Sequence, residues 1–144
     1  MDARQLKISN DLIKKNKIEM IDLKCIDLTG YLHHISLPVF PNILSKLVSE
    51  GVGFDGSSYG FRKVENSDMI LVPDLTTAFV DPFRVEPTLS FYANILLTDE
   101  NRTPFSQDGR ALAKRAEHML KSAVGADLSW WGPEFEFYIF SKVR

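Results

Sequence analysis

An α+β fold, with helices packed on one mixed sheet, is what this 144-residue sequence predicts. Three observations carry the prediction. Two strand-like runs meet at Thr29-Gly30, as in a hairpin. Ile43, Leu44, Leu47 and Val48 fall at helical spacing and stop at Gly51, a natural C-terminal glycine. Leu89, Phe91, Ala93, Ile95 and Leu97 alternate with Ser90, Tyr92 and Asn94, yet no repeating strand-helix-strand unit surrounds them.

Taken in order, residues 3–16 carry Leu6, Leu12 and Ile13 among Lys and Asn, a short and weakly amphipathic helix expected at the periphery. Residues 18–28 and 32–37 are the two arms of the hairpin. Pro38 and Pro41 end the second arm, and a helix follows over 42–50. Residues 51–67 have no period and hold four of the eight glycines, which predicts a long loop. Strand character returns at Met69 to Val72, a second short apolar stretch, Thr76 to Val80, follows Pro73, and beyond the turn Asp81-Pro82-Phe83 the segment 89–97 alternates strictly as a strand. Residues 18–98 thus read as a compact, β-grasp-like unit.

Thr98 to Ser106 is polar and contains Pro104, the composition of a linker. Asp108 is placed to cap a helix whose Leu112, Ala113, Ala116, Met119, Leu120 and Val124 form one apolar face up to Gly125. Trp130-Trp131-Gly132-Pro133 then leads into an alternating strand, Glu134 to Phe140. The organisation expected is an N-terminal extension over 1–17, a β-grasp unit over 18–104 and the beginning of a further domain over 105–144. One helix and one strand cannot bury both faces of that strand, so this last part reads as a fragment or as a piece that needs partners.

Composition narrows the function. Seventeen Lys and Arg stand against nineteen Asp and Glu, a formal charge of -2, and the cations are scattered, so nucleic-acid binding is not expected. The single Cys25 cannot form a bridge within the chain, which excludes a disulfide scaffold. No run approaches the roughly 20 apolar residues of a membrane span. The N-terminal residues lack the apolar core of a secretion signal, so a cytoplasmic location is expected and no membrane partner.

Gly51-Val52-Gly53-Phe54-Asp55-Gly56 matches a dinucleotide fingerprint literally, but a helix precedes it where that motif needs a strand, and no Gly-Lys-Ser/Thr ending makes it a P-loop. What remains is a loop presenting Asp55, Ser57 and Ser58, for which local side-chain to backbone bonding is the simplest reading on residue types alone. Glu134 and Glu136 are two residues apart on the expected strand and share a face, with Cα atoms about 6.5–7 Å apart, opposite Phe135, Phe137 and Ile139. Buried carboxylates need opposite charge, and a hard divalent cation such as Mg²⁺ or Mn²⁺ supplies it. A sheet face open to water is the alternative, and the pattern alone leaves both open. His33 and His34, adjacent on a strand, point to opposite faces and cannot make a simple two-histidine metal site. Cys25 reads as an inert buried thiol, and Asp68 and Asp74 as turn caps.

The residues resemble the N-terminal part of glutamine synthetase, the ligase that joins ammonia to glutamate. Phe54-Asp55-Gly56-Ser57-Ser58 followed by Asn66-Ser67-Asp68-Met69, then Asp81-Pro82-Phe83, Ala113-Lys114-Arg115-Ala116-Glu117 and Gly132-Pro133-Glu134-Phe135-Glu136-Phe137, come in that family's order from about Ile18 to Phe140. Phe135 stands where many members have Pro. The resemblance implies a β-grasp domain followed by the first helix and strand of an α/β catalytic domain, and a homo-oligomer, usually of stacked rings, with active sites shared between subunits. It implies that Asp55, with Ser58, reaches a neighbouring subunit's site, where Asp55 binds ammonium and deprotonates it. It implies that Glu134 and Glu136 are ligands of two divalent ions, Mg²⁺ or Mn²⁺, with Glu134 at the ion bridging the ATP phosphates and Glu136 at the one nearer glutamate. The reaction implied is ATP-dependent amidation of glutamate through a γ-glutamyl phosphate, with the 144 residues inactive by themselves. The alternatives are a relative that joins glutamate to amines or polyamines, and a non-catalytic β-grasp interaction module.

Overall fold

The computed structural model describes residues 3–143. The chain divides into two compact units, Met1–Ala113 and Lys114–Arg144.

The first unit opens with helix α1 (Ala3–Lys15), followed by strands β1 (Met20–Ile26) and β2 (Leu32–Pro38), helix α2 (Ile43–Ser49), and strands β3 (Val52–Asp55), β4 (Asp68–Pro73), β5 (Phe79–Val80) and β6 (Thr88–Leu97). The strands form one mixed sheet in the order β2-β1-β6-β4-β3, with β5 also on β6. β1 and β2 are an antiparallel hairpin in which Met20 faces Pro38 and Ile26 faces Leu32. Asp27 closes its turn by accepting from the Thr29 and Tyr31 amides at 2.8 and 3.0 Å, and Gly30 takes the positive φ of 93° that the reversal requires. The ten-residue β6 is the spine of the sheet. Thr88–Tyr92 pairs parallel with β1, and Ala93–Leu97 pairs antiparallel with β4.

Alternation decides what each face does. Ile21, Leu23 and Cys25 turn one way from β1 and Asp22 and Lys24 the other. The apolar side joins Met69, Leu71, Leu89, Phe91 and Ile95 in a core of fully buried side chains, closed by Ile43, Leu44 and Leu47 of α2. Each such side chain contributes about 1.5–3 kcal/mol by leaving water. Leu6, Leu12 and Ile13 of α1 pack against the same core and bury Ser9, so this helix is part of the unit rather than an appendage.

Three expectations are corrected here. Residues 51–67 are not one loop: Val52–Asp55 pairs as β3 with β4, and Val64–Asn66 makes a single 3₁₀ turn. Val52-Gly53-Phe54-Asp55 is too short and too glycine-rich to show a period, and the open edge of β4 draws it into the ladder. The segment 98–106 is not a free linker, because Leu97 N donates to Thr103 O and Phe105 N to Ile95 O, both at 2.8 Å, while the Phe105 ring is buried. Third, no strand forms over Glu134 to Phe140. Its residues alternate, but a ladder needs a neighbouring strand to hydrogen-bond with, and none of the six strands pairs with this segment.

Helix α3 (Gly109–Val124) is capped as its sequence dictates. Asp108 O accepts from Leu112 N at 2.9 Å and Asp108 Oδ1 from Arg110 N at 3.1 Å. Gly125 ends the helix with φ 69° and donates to Lys121 O at 3.0 Å. None of the residues of α3 is buried. In the second unit Trp130, Trp131, Phe135 and Phe137 are exposed as well. Among the described residues no helix is long and apolar enough to cross a membrane.

Candidate active-site loop

The loop that follows β3 is built by hydrogen bonds to its own backbone and to the start of β4. Asp55 stands opposite Asp68 in the β3–β4 register. Gly56 N donates to Ser67 O at 2.7 Å, and Gly56 O accepts from Phe61 N at 2.9 Å, which draws residues 56–61 into a tight turn. A Cβ at Gly56 would lie 3.1 Å from both Ser67 O and Met69 Cγ, so the close approach requires glycine. The reverse of a dinucleotide motif is also plain: α2 precedes the glycines, Gly51 ends it with φ 76°, and a strand follows.

These turns aim the Asp55 carboxylate back over the loop. Oδ1 accepts from Ser57 N at 2.8 Å and from Ser57 Oγ at 2.7 Å, whereas Oδ2 has a 3.5 Å contact from Ser58 Oγ. The Ser57 hydroxyl, the Ser67 hydroxyl and the Ser57 amide hold the Asp55 carboxyl below the usual carboxylate range. Asp55 and Ser58 are exposed. Ser57 makes the shortest contacts to Asp55, the local side-chain to backbone bonding that the residue types suggest, although no role in the site was assigned to it. Its only signal was the spacing Asp-x-Ser, which suits an Asx turn.

An aromatic group backs the loop. The Tyr59 ring stacks on His33 of β2 with centroids 4.0 Å apart, Phe54 lies 5.3 Å from Tyr59, and Phe61 meets Phe105 edge-on at 5.4 Å. The Arg62 guanidinium sits 5.8 Å over the Phe105 ring. Beside it a cavity of about 270 Å³ is lined by Arg62, Asn66, Asp68, Leu97, Thr98 and Asp99.

Glu134 and Glu136 lie in the second unit, both exposed and outside any strand. Among the described residues no three His, Cys, Asp or Glu side chains gather as a metal site. Asp55 and Ser58 are therefore brought together, and Glu134 and Glu136 are not joined by further ligands. His33 and His34 diverge as alternation requires, His33 Nε2 to Asp27 Oδ2 and His34 Nδ1 to Asp22 Oδ1, each at 2.8 Å. Cys25 is buried, which pushes its thiol up to about 12. Asp74 caps a turn by accepting from Thr76 N and Oγ1.

Residues 17–98, which contain this loop, match the family described as the glutamine synthetase β-grasp domain. The chain belongs to the glutamine synthetase family. Its β-grasp domain is the mixed sheet of the first unit, and Asp55 and Ser58 fall inside the matched range. The chain is 41% identical over 135 residues to the glutamine synthetase of Frankia alni, covering 92% of this chain and 28% of that protein. It is also 41% identical over 133 residues to a protein of Cupriavidus pinatubonensis named 3-hydroxylaminophenol mutase, again over 28% of that protein's length. The chain thus spans less than a third of the curated relatives it matches. Among solved structures, the glutamine synthetase of Plasmodium falciparum superposes with a TM-score of 0.68 at 21% identity, covering 82% of this chain and 22% of that one, and this likeness shows the fold.

Proposed function

We propose that this chain is the part of a glutamate–ammonia ligase that delivers the ammonium-handling loop, and that the complete protein amidates glutamate at the expense of ATP through a γ-glutamyl phosphate. The observation that carries the reading is the Asp55 carboxylate. Oδ1 accepts twice from Ser57, Oδ2 has a 3.5 Å contact from Ser58, the Ser67 hydroxyl also favours the ionised carboxyl, and the group is exposed at a turn within the family-matched range.

The chemistry follows from that asymmetry. Oδ1 is fixed by two short bonds, so the carboxylate is oriented before any ligand arrives. Oδ2, met at 3.5 Å by the Ser58 hydroxyl, keeps lone-pair capacity for an N–H of ammonium. A carboxyl held below its usual range stays ionised at neutral pH, which makes it a good anchor for a cation and a weak base. Asp55 therefore holds ammonium first. It takes one proton as the nitrogen, freed of that proton, attacks the acyl phosphate carbon; the adduct's second N–H proton leaves to solvent as the C–O bond to phosphate breaks, which gives the neutral amide and free phosphate. Ser58 steers the open oxygen. Because the loop projects from the β-grasp unit, it would act on an acyl phosphate bound by another subunit of a homo-oligomer.

Glu134 and Glu136 offer two hard oxygen donors, a set that suits Mg²⁺ or Mn²⁺ with water and phosphate completing the shell. They would hold such ions, Glu134 on the ATP side and Glu136 nearer glutamate. Bound ions of this kind neutralise charge on the transferring phosphoryl group. The remaining ligands would come from outside these 144 residues, and the chain alone is expected to make no glutamine.

The test is glutamine formation from glutamate, ammonium and Mg-ATP by the full-length reading frame that carries this chain, beside Asp55→Ala in the same frame. Activity in the parent and its loss in the variant supports the assignment. Amide formation with small amines but not with ammonium would replace ammonia by an amine acceptor. Activity unchanged in Asp55→Ala would remove Asp55 from the site.

A further inference from the structure

The Asp55 loop is tied at its far side to the hairpin turn of β1 and β2, two elements that neither chain proximity nor the sheet ladder connects. Asp27 sits at the centre of that turn. Its Oδ1 accepts from Thr29 N, Thr29 Oγ1 and Tyr31 N at 2.8, 2.7 and 3.0 Å, and its Oδ2 contacts His33 Nε2 at 2.8 Å. An ionised carboxylate can only accept, so His33 carries a proton on Nε2, and its ring plane is set by that bond. The ring in turn lies flat on Tyr59, centroids 4.0 Å apart and planes 17° from parallel. Tyr59 follows Ser58 directly and is the loop's one ring that reaches back to β2.

We infer that Asp27, His33 and Tyr59 form a positioning relay that sets the height and tilt of the Asp55–Ser58 turn, and so determines how well the complete enzyme captures ammonium. The inference rests on the proposed role of Asp55 and goes beyond it by assigning residues that touch no substrate. The loop has few other anchors on this side. Gly60 has nothing within 4 Å of where its Cβ would be, and Ser58 is exposed. Phe54 and Phe61 fix the buried edge of Tyr59 at 5.3 and 6.2 Å, so the Tyr59 ring is a lever between the core and the Asp55 turn. Loss of the stack lets the turn sample heights at which Oδ2 no longer meets ammonium, while the glutamate and ATP sites are untouched.

The experiment is steady-state kinetics of the full-length protein with ammonium, glutamate and ATP varied in turn, for Tyr59→Ala, Tyr59→Phe, His33→Phe and Asp55→Ala. Tyr59→Ala is expected to raise KM for ammonium about tenfold with the other two KM values within about twofold of the parent, because only the positioning of the ammonium-binding group is lost. Tyr59→Phe, which keeps the ring, restores parental values. His33→Phe keeps a ring but loses the Asp27 bond, and is expected between the two. Where Tyr59→Ala does not fold, Tyr59→Leu, which retains contact with Phe54 and Phe61, serves in its place. Equal ammonium KM in Tyr59→Ala and parent overturns the relay if Asp55→Ala is inactive. If Asp55→Ala is itself unaffected, the reading of Asp55 fails and the relay with it. A parallel rise in all three KM values also overturns the relay, since the effect is then not confined to ammonium.

Discussion

Lys24 Nζ donates to Asp22 Oδ2 at 2.9 Å on the polar face of β1, with the Asp22 side chain fully buried and that of Lys24 10% exposed. Residues i and i+2 of a strand share a face, so the pair is dictated by sequence. Its surroundings are not: Arg84 reaches the same oxygen at 3.1 Å from 62 residues away, Ser36 and His34 bond the other oxygen, and Lys24 also meets Asp81 at 3.1 Å. Removing Asp22 takes its carboxylate from both Arg84 and Lys24, leaving Lys24 with Asp81 alone. Asp22→Ala is therefore expected to cost about 3 kcal/mol in urea unfolding followed by far-UV circular dichroism. Lys24→Met, which leaves Asp22 with Arg84, His34 and Ser36, should cost clearly less. Equal losses would show that the two residues act only as a pair.

The same cluster fixes the direction of the pH dependence. Burial pushes the Asp22 carboxyl up, but hydrogen bonds from Lys24, Ser36 and His34 outweigh it, so it lies below its ordinary 3.8. Asp81 is lowered too, by the Phe83 amide first and despite some burial. A carboxyl whose folded pKa is depressed stabilises the fold above its unfolded pKa and loses that contribution as pH falls through the folded value. Lys24 goes the other way. Burial pulls it down, bonds to Asp22 and Asp81 raise it above 10.5, and its contribution fades only as pH rises through that raised value. The urea midpoint should thus change little on account of these groups from about pH 5 to about pH 10 and drop below about pH 4. A midpoint that holds at about pH 2.5 would refute the assignment.

Gly56 and Gly53, three residues apart, should respond oppositely to alanine. A Cβ at Gly56 meets the backbone carbonyl of Ser67 and the side chain of the fully buried Met69. Gly53 has nothing within 4 Å. Gly56→Ala is expected to cost about 1–3 kcal/mol, the usual penalty of overpacking. Gly53→Ala should be neutral or stabilising, since it mainly restricts the unfolded chain. Thermal melts of the two variants decide it, and a harmless Gly56→Ala would mean that the loop and β4 separate readily.

Much of the fold was legible because local and tertiary signals agree at particular residues. Gly30 turns the hairpin, Gly51 ends α2, and the apolar positions of β6 alternate where the sheet needs them to. The elements that escaped are those created by a neighbour. β3 exists because β4 offers an edge, and Phe105 is buried in a polar stretch because Ile95 O accepts its amide. The reverse error is Glu134 to Phe140: alternation is a property of a segment, while a strand is a property of a pair. For the site, Asp55 and Ser58 were visible as residue types in an ordered motif, but the dominance of Ser57 and the Tyr59–His33 stack depend on how the turn folds back.

Cys25 gives a chemical readout of the first unit. It is 3% exposed, and burial first, then the nearby Asp108 and Asp27 charges, raise its thiol to about 12. Since the thiolate is the reactive form, the native chain should resist alkylation by iodoacetamide at about pH 8 and react fully once unfolded in urea. Rapid labelling of the native protein would show that the β1 face opens without global unfolding.

Both tryptophans of the chain, Trp130 and Trp131, belong to the second unit, and they are 90% and 86% exposed. The bond from Trp131 Nε1 to Ser129 Oγ at 3.0 Å is local and needs no packing to persist. Because both indoles are already almost fully exposed, unfolding leaves little in their environment to change. Intrinsic emission of the 144-residue chain is therefore expected at the wavelength of water-exposed indole, open to acrylamide quenching, and flat across the urea transition that circular dichroism reports. The complete ligase proposed above offers the contrast, because the apolar residues Met119, Phe135 and Phe137, exposed in the same unit, are expected to be covered there. A blue-shifted, quench-resistant emission from the 144 residues alone would show that the second unit already packs against itself or another copy.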